Sequence, residues 1–182
     1  MSELSAAIEM IVKASDFACK KHKSQKRKDP EGTPYINHPI GVAWQLVNEG
    51  KVYDPAVLAA ALLHDTVEDC DCSFEEITEN FGEHVCSIVR EVTDDKSLEK
   101  QERKRLQVVN GPGKSKEAKL VKLSDKLYNL RDLERCKPEF WSEERKTEYF
   151  RWAKQVVDAV RSNGSVNKAL EDELDAMFEK YC

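Results

Sequence analysis

The sequence predicts an all-α fold, a compact single-domain bundle of about eight or nine helices. Three observations carry that prediction. Apolar residues recur three and four apart along most of the chain, capping and breaking residues punctuate these runs, and no stretch alternates apolar with polar residues as a strand requires. Composition agrees: of 182 residues, 40% are hydrophobic and 35% charged, with only 7 glycines and 6 prolines, a globular balance and not a disordered one. A chain of this length buries roughly two-thirds of its unfolded surface unaided, so one core is expected over residues 1–182.

Ile8, Ile11, Val12, Ala14, Phe17 and Ala18 form the apolar face of a first helix. It dissolves into a basic segment (Lys20, Lys21, Lys23, Lys26, Arg27, Lys28) and then into the turn-forming Asp29-Pro30-Glu31-Gly32-Thr33-Pro34. Asn37 can cap a second helix, with His38 on its first turn, Gly41 tolerated inside, and Val42, Trp44, Leu46 and Val47 leading to a stop at Asn48-Glu49-Gly50. Asp54-Pro55 is a cap followed by proline at the first helical position. The run Val57 to Leu63 behind it is apolar on every face, which predicts a central, buried helix ending in His64-Asp65-Thr66-Val67-Glu68-Asp69. Ser73 and Glu76 form a capping box for a short helix to Phe81 that Gly82 ends. Another helix follows through Val85, Ile88, Val89 and Val92, then a charged stretch from Asp94 to Arg105 and a breaker at Asn110-Gly111-Pro112-Gly113. Ser115 caps a helix whose Leu120, Leu123, Leu127 and Leu130 make a core stripe. An aromatic-rich helix runs from about Ser142 to Arg161 and stops at Asn163-Gly164, and a last amphipathic helix begins near Ser165.

The formal net charge of −5 argues against a general nucleic-acid partner. The basic segment between Lys20 and Lys28 can meet a small polyanion, although alone it reads as a solvated helix end. The six cysteines, Cys19, Cys70, Cys72, Cys86, Cys136 and Cys182, lack zinc-knuckle or redox spacing and read as reduced cytoplasmic thiols. Met1 to Met10 shows no secretory pattern and no apolar run approaches membrane-spanning length, so no membrane partner is expected.

Chemistry concentrates where the apolar helix ends. Asp65 follows a run that should be buried, and an ionised carboxylate there needs a counter-charge, hydrogen bonds or a metal. Residues four apart stack on a helix, so His64 and Glu68 share one face, and Asp65 and Asp69 the adjoining one. The plain structural alternative, solvated acids at a helix C-terminus, opposes the helix dipole.

Tyr35-Ile36-Asn37-His38-Pro39, Leu62-Leu63-His64-Asp65-Thr66-Val67-Glu68-Asp69 and Lys122-Leu123-Ser124-Asp125-Lys126-Leu127-Tyr128-Asn129-Leu130-Arg131 resemble, in order and spacing, the successive hydrolase motifs of the RelA/SpoT family, which are HD-domain hydrolases. Within that family the chain is similar to the short animal members, the metazoan SpoT homologues, along nearly all its length, with the motif-bearing core at about 34–131. The resemblance implies an HD-type helical bundle and metal ligands at His38, His64, Asp65 and Asp125, with manganese as the usual ion. A donor set of imidazole and carboxylate without thiolate suits that choice, though iron, cobalt or zinc can occupy it. Such an ion polarises a phosphoryl oxygen and acidifies a water. Asp125 enters the set through the resemblance alone, because it lies opposite the leucine stripe and periodicity would leave it in solvent.

The resemblance further implies that Glu68 and Asp69 are the catalytic acidic pair, and that Arg27 and Lys28 hold a nucleotide by stacking, forked hydrogen bonds or charge. Asn129, one turn after Asp125, is a ribose or base contact. Tyr35, Lys100, Arg145 and Tyr149 are weaker candidates, each an ordinary surface or packing residue when taken alone. The expected partner is a phosphorylated nucleotide of the stringent response, and the expected reaction is removal of the 3′-pyrophosphate of guanosine tetraphosphate or pentaphosphate. Two alternatives stay open: removal of the 2′-phosphate of NADPH by the same site, and a non-catalytic alarmone-binding sensor.

Overall fold

A computed structural model of the chain describes residues 2–182; Met1, which opens the N-terminal stretch read above, lies outside the described residues. They form nine α-helices and one 3-10 turn: α1 (Glu3–Lys21), α2 (Asn37–Asn48), α3 (Pro55–Leu63), α4 (Thr66–Asp69), α5 (Phe74–Val92), α6 (Lys100–Asn110), the 3-10 turn (Gly111–Gly113), α7 (Lys116–Arg135), α8 (Glu143–Val160) and α9 (Lys168–Tyr181). The all-α expectation holds, and no helix is long and apolar enough to cross a membrane.

Two helices are central. α3 begins where Asp54 Oδ1 accepts from the N–H groups of Ala56 and Val57 at 2.8 and 3.3 Å, with Pro55 filling the first position that needs no donor. Every residue from Ala56 to Leu63 is buried, and α1, α2, α5 and α7 surround the helix. Burying one such leucine contributes about 1.5–3 kcal/mol. Truncating Leu63 to alanine would cost about 2–5 kcal/mol, because the rigid surroundings cannot collapse onto the cavity. α7, capped by Ser115 Oγ on the Ala118 N–H, is just as enclosed, packed by α2, α3, α5, α8 and α9. It is buried continuously from Ala118 to Leu127, polar residues included.

The boundaries differ from expectation at several points. Asn37 does not cap α2: its own N–H and that of His38 donate to the carbonyls of Pro34 and Tyr35, and Pro39 has no N–H, so a side-chain cap has little left to satisfy. Gly82 does end the first of two helical runs as expected: its φ of 84° and ψ of 165° are non-helical and interrupt α5, whose two halves follow one another without a loop. The charged stretch after Asp94 contains α6, which buries no residue fully, and this explains why no apolar stripe announced it. α9 starts after Asn167 and not at Ser165, because Asn167 Oδ1 accepts from the Leu170 N–H while Glu171 Oε1 accepts from Val166 and Asn167. Between α1 and α2 an antiparallel bridge pairs Lys26 with Pro34, folding the basic segment back across the ends of α2 and α7.

Candidate active site

The N-terminus of α2, the C-terminus of α3 and the middle of α7 meet at one buried point. His38 from α2 and His64 from the end of α3 are 1% and 5% exposed. His38 Nε2 lies 3.5 Å from Asp65 Oδ2 and 3.2 Å from Asp125 Oδ1; His64 Nε2 lies 3.0 and 3.8 Å from the same two oxygens. Donor atoms of His38, His64 and Asp65 all fall within 4.8 Å of one another. Ligand bonds of about 2.1 Å around a first-row divalent ion separate neighbouring donors by about 3.0–3.4 Å. The donor set fits such an ion. The Nδ1–H of His64 donates to the Ala61 carbonyl at 2.7 Å, which aims Nε2 at the carboxylates, where it is buried without a well-directed hydrogen bond.

Each carboxylate is held from outside the cluster. The Tyr35 hydroxyl donates to Asp65 Oδ2 at 2.7 Å. Asn129 Nδ2 donates to Asp125 Oδ1 at 2.6 Å, and the buried Lys126 ammonium sits 2.8 Å from Asp125 Oδ2. Burial alone would raise both acids. For Asp65 the charge of His64, 3.0 Å away, wins, and for Asp125 Lys126 with His38 wins, so both stay ionised well below the usual carboxylate range. Burial opposes protonation of His64, but Asp65 outweighs it and pushes the pKa up to about 9. At His38 burial prevails and the pKa falls, despite the hydrogen bond to Asp125. Burial beside Asp65 raises the Tyr35 phenol, which stays a donor.

One turn beyond His64 stand the acidic pair. Burial raises the Glu68 carboxyl, although the Asp94 N–H donates to its Oε2 at 3.1 Å and Arg103 lies 3.5 Å from Oε1. Asp69 is gripped on both oxygens, by Lys96 at Oδ1 and by Gln25 Nε2 at 3.1 Å from Oδ2. A cavity of about 410 Å³ opens beside the cluster, lined among others by Arg27, Lys28, Asp69, Asn129, Trp141 and Tyr149. Tyr35 and Asn129 belong to both cavity and cluster.

The family model described as "HD domain" matches residues 14–151. The chain belongs to the HD-domain family. It is similar to the guanosine-3′,5′-bis(diphosphate) 3′-pyrophosphohydrolase MESH1 of Xenopus tropicalis, 59% identical over 96% of each chain, and to the Homo sapiens protein of that name, 58% identical over 93% of each. A solved structure described as a metazoan ortholog of SpoT that hydrolyzes ppGpp and plays a role in starvation responses superposes with a TM-score of 0.90 at 53% identity, covering 94% of both chains. The resemblance read from the motifs is thus borne out.

This HD domain draws together His38, His64, Asp65 and Asp125, with Glu68 and Asp69 adjacent. It also corrects several expectations. Asp125 is 8% exposed and not in solvent, because α7 is enclosed on nearly all faces and no single stripe marks its buried side. The basic segment is not a free patch: Lys20 pairs with Asp16, Lys21 with Glu76 and Arg27 with Asp132 at 2.6 Å, which leaves Lys26 and Lys28 facing the cavity. Arg27 also donates to Asn129 Oδ1 at 3.1 Å, so Asn129 bridges Arg27 and Asp125. Lys100 is exposed at the start of α6 and Arg145 stacks its guanidinium 4.4 Å from the Trp141 ring; neither lines the cavity. Tyr35 is far more than packing. The sequence reading missed Gln25, Lys96, Lys126, Asp132 and Trp141; of these only Lys126 had a signal, a charge inside the same motif as Asp125.

Proposed function

We propose that this chain is a metal-dependent hydrolase that removes the 3′-pyrophosphate of guanosine tetraphosphate or pentaphosphate, turning ppGpp and water into GDP and pyrophosphate. The observation that carries it is the convergence of two imidazoles and two carboxylates, drawn from three separate motifs, beside a cavity of about 410 Å³ with lysines and aromatic rings in its wall. That volume lies within the roughly 300–1,000 Å³ of small-molecule pockets. Relatives named for this reaction support the substrate.

In this reading His38, His64, Asp65 and Asp125 hold the ion, manganese in keeping with nitrogen and oxygen donors. A bound divalent ion supplies Lewis acidity toward a phosphoryl oxygen and lowers the pKa of a water. Glu68, with its carboxyl raised by burial, accepts the proton of the attacking water, since a base poised nearer neutrality transfers protons best. Asp69, held by Lys96 and Gln25, orients that water, and the proton that Glu68 takes passes on to the departing pyrophosphate oxygen. Arg27, Lys28 and Asn129 meet the nucleotide, with Tyr35, Trp141 and Tyr149 as aromatic walls. Lys100 and Arg145 stand outside the cavity and receive no role. We read residues 1–182 as one HD-domain unit, and the scattered cysteines support the cytoplasm as its compartment.

The test is a nucleotide panel with manganese-loaded protein. Pyrophosphate and GDP should appear from guanosine tetraphosphate, and a Glu68→Ala control should abolish them. No release above that control would defeat the proposal. A higher kcat/KM for phosphate release from NADPH would transfer the assignment to that substrate, and tight binding of the tetraphosphate without turnover would make the chain a sensor.

A further inference from the structure

His22 follows the last residue of α1, its N–H closing on the Ala18 carbonyl at 2.9 Å, and is only 2% exposed. A buried imidazole is costly unless its nitrogens are used. Nδ1 lies 2.6 Å from Gln25 Oε1 and 3.2 Å from Cys70 Sγ, while Nε2 has no partner. Gln25 is three residues on, and its N–H donates to the His22 carbonyl at 3.0 Å, a turn that puts the two side chains together.

The direction of this chain of bonds follows from donor and acceptor chemistry alone. Asp69 is a carboxylate with both oxygens engaged, and an ionised carboxylate only accepts. The atom of Gln25 facing it must therefore be the amide nitrogen, which turns Oε1 toward His22. Two lone pairs cannot sit 2.6 Å apart, so His22 must carry its proton on Nδ1 and donate. Cys70 reaches the same amide oxygen at 3.8 Å with its weaker S–H. A second contact runs from the same ring. The Tyr35 ring lies over it with centroids 5.0 Å apart and planes tilted 34°, and the Tyr35 hydroxyl holds Asp65.

We propose that His22 and Gln25 are positioning residues of the hydrolytic site: the Nδ1–H of His22 locks the Gln25 amide, and the locked amide holds Asp69 Oδ2 in place. The proposal rests on the reading of Asp69 as one of the catalytic acidic pair. Lys96 grips the other oxygen but is itself 49% exposed, whereas Gln25 is half-buried and is held in turn by the buried His22. Gln25 lines the cavity and His22 does not, and in this reading both act on the reaction only through Asp69.

The test compares kcat on guanosine tetraphosphate for manganese-loaded His22→Leu in two backgrounds, wild type and Asp69→Asn. In the wild-type background kcat should fall about tenfold, as is common when an outer partner of a site residue is removed. KM and metal content should change little. In the Asp69→Asn background the same change should do almost nothing, because its target is already lost. His22→Asn, whose amide offers an N–H near the position of Nδ1, should recover most of the rate. Independently of activity, the Gln25 side-chain amide protons should be protected from exchange in the wild type and lose that protection in His22→Leu. An equal loss of kcat in both backgrounds, or unchanged Gln25 protection, would overturn the relay alone. Equal kcat for wild type and Asp69→Asn would overturn the acidic-pair reading and take the relay with it. Should His22→Leu fail to fold, Gln25→Leu, at the middle of the hydrogen-bonded relay, is read in the same two backgrounds, and its loss of kcat in wild type against Asp69→Asn decides.

Discussion

The Tyr35 hydroxyl donates a 2.7 Å hydrogen bond to Oδ2 of Asp65, the same oxygen that lies 3.0 Å from His64 Nε2. Tyr35 comes from the loop before α2 and Asp65 is the second residue past the end of α3, so one bond ties the loop to the donor cluster. Tyr35→Phe keeps the ring and deletes that bond. If Asp65 is a metal ligand, loss of its outer partner should weaken metal binding by about 10–100-fold. Competition against a fluorescent chelator reads this directly, and unchanged affinity would remove Tyr35 from the support of the site.

His64 makes metal binding depend on pH. With its pKa at about 9 the metal-free imidazole is protonated at neutrality, whereas a ligand nitrogen must be bare, so binding has to expel that proton. His38, with its pKa lowered, has no proton to give up there. Apparent affinity should rise by up to about tenfold per pH unit toward pH 9 and flatten above it. Calorimetry in buffers of different ionisation enthalpy should count about one proton released per ion near pH 7. The same shift predicts a stability trend for the metal-free protein. A histidine raised above its unfolded value stabilises fully below about pH 6.5, and the benefit is lost as pH climbs through 9. Melting temperature without metal should therefore drift down across that window.

Glu68 and the ligands are separable. On the proposed roles, Glu68→Gln removes the base but none of the four proposed donors, so the ion should stay while kcat falls about 10²–10⁴-fold. Burial raises Glu68, so the wild-type rate should decline as pH drops through that raised value, and a decline that sets in no higher in pH than an exposed carboxylate's would count against its role. Metal content measured alongside kinetics distinguishes this variant from a ligand loss, in which both disappear together.

Asp125 neutralises Lys126, which is 4% exposed and has its pKa raised by that carboxylate in spite of burial. Asp125→Ala leaves a buried ammonium unpaired and should cost about 3–5 kcal/mol. Adding Lys126→Met should return much of the stability but none of the metal. Urea melts and elemental analysis on the pair of variants check the two halves separately; a double variant that regains metal would refute Asp125 as a ligand.

These two residues also mark how far the sequence could be read. α3 was legible because Val57 to Leu63 is apolar on all sides, and a helix with no polar face has nowhere to sit but the interior. α7 is just as buried, yet it carries Lys119, Lys122, Ser124, Asp125 and Lys126 among its enclosed residues. Periodicity assigns charges to solvent, and only tertiary pairing, as of Lys126 with Asp125, overrides that assignment. The ligand set was reached through motif resemblance for the same reason. Arg27 is joined to Asp132 across 105 residues and Gln25 to Asp69 across 44, which no local pattern encodes.

Gly41 looked merely tolerated inside α2, but the structure requires it. A Cβ there would lie 1.9 Å from Cε2 of Tyr128 and 2.7 Å from two further ring atoms. That contact is part of the packing of α2 on α7, and the same ring lies 5.0 Å from His38. Gly41 thus lets the helix bearing His38 approach the one bearing Asp125, and the 3.2 Å between their donor atoms depends on it. Helix propensity favours alanine over glycine by about 1 kcal/mol, so propensity alone predicts that Gly41→Ala stabilises. Overpacking costs about 1–3 kcal/mol and here sets a methyl within 3 Å of three ring atoms, so the steric effect should win. The expected result is a modest loss of stability with a larger loss of metal affinity, because His38 moves away while the rest of the core stays intact. Tyr128→Ala in the same chain removes the clash and should return metal affinity toward that of Tyr128→Ala alone. A Gly41→Ala protein as stable and as tightly metal-bound as the wild type would show that the α2–α7 spacing does not set the ligand geometry.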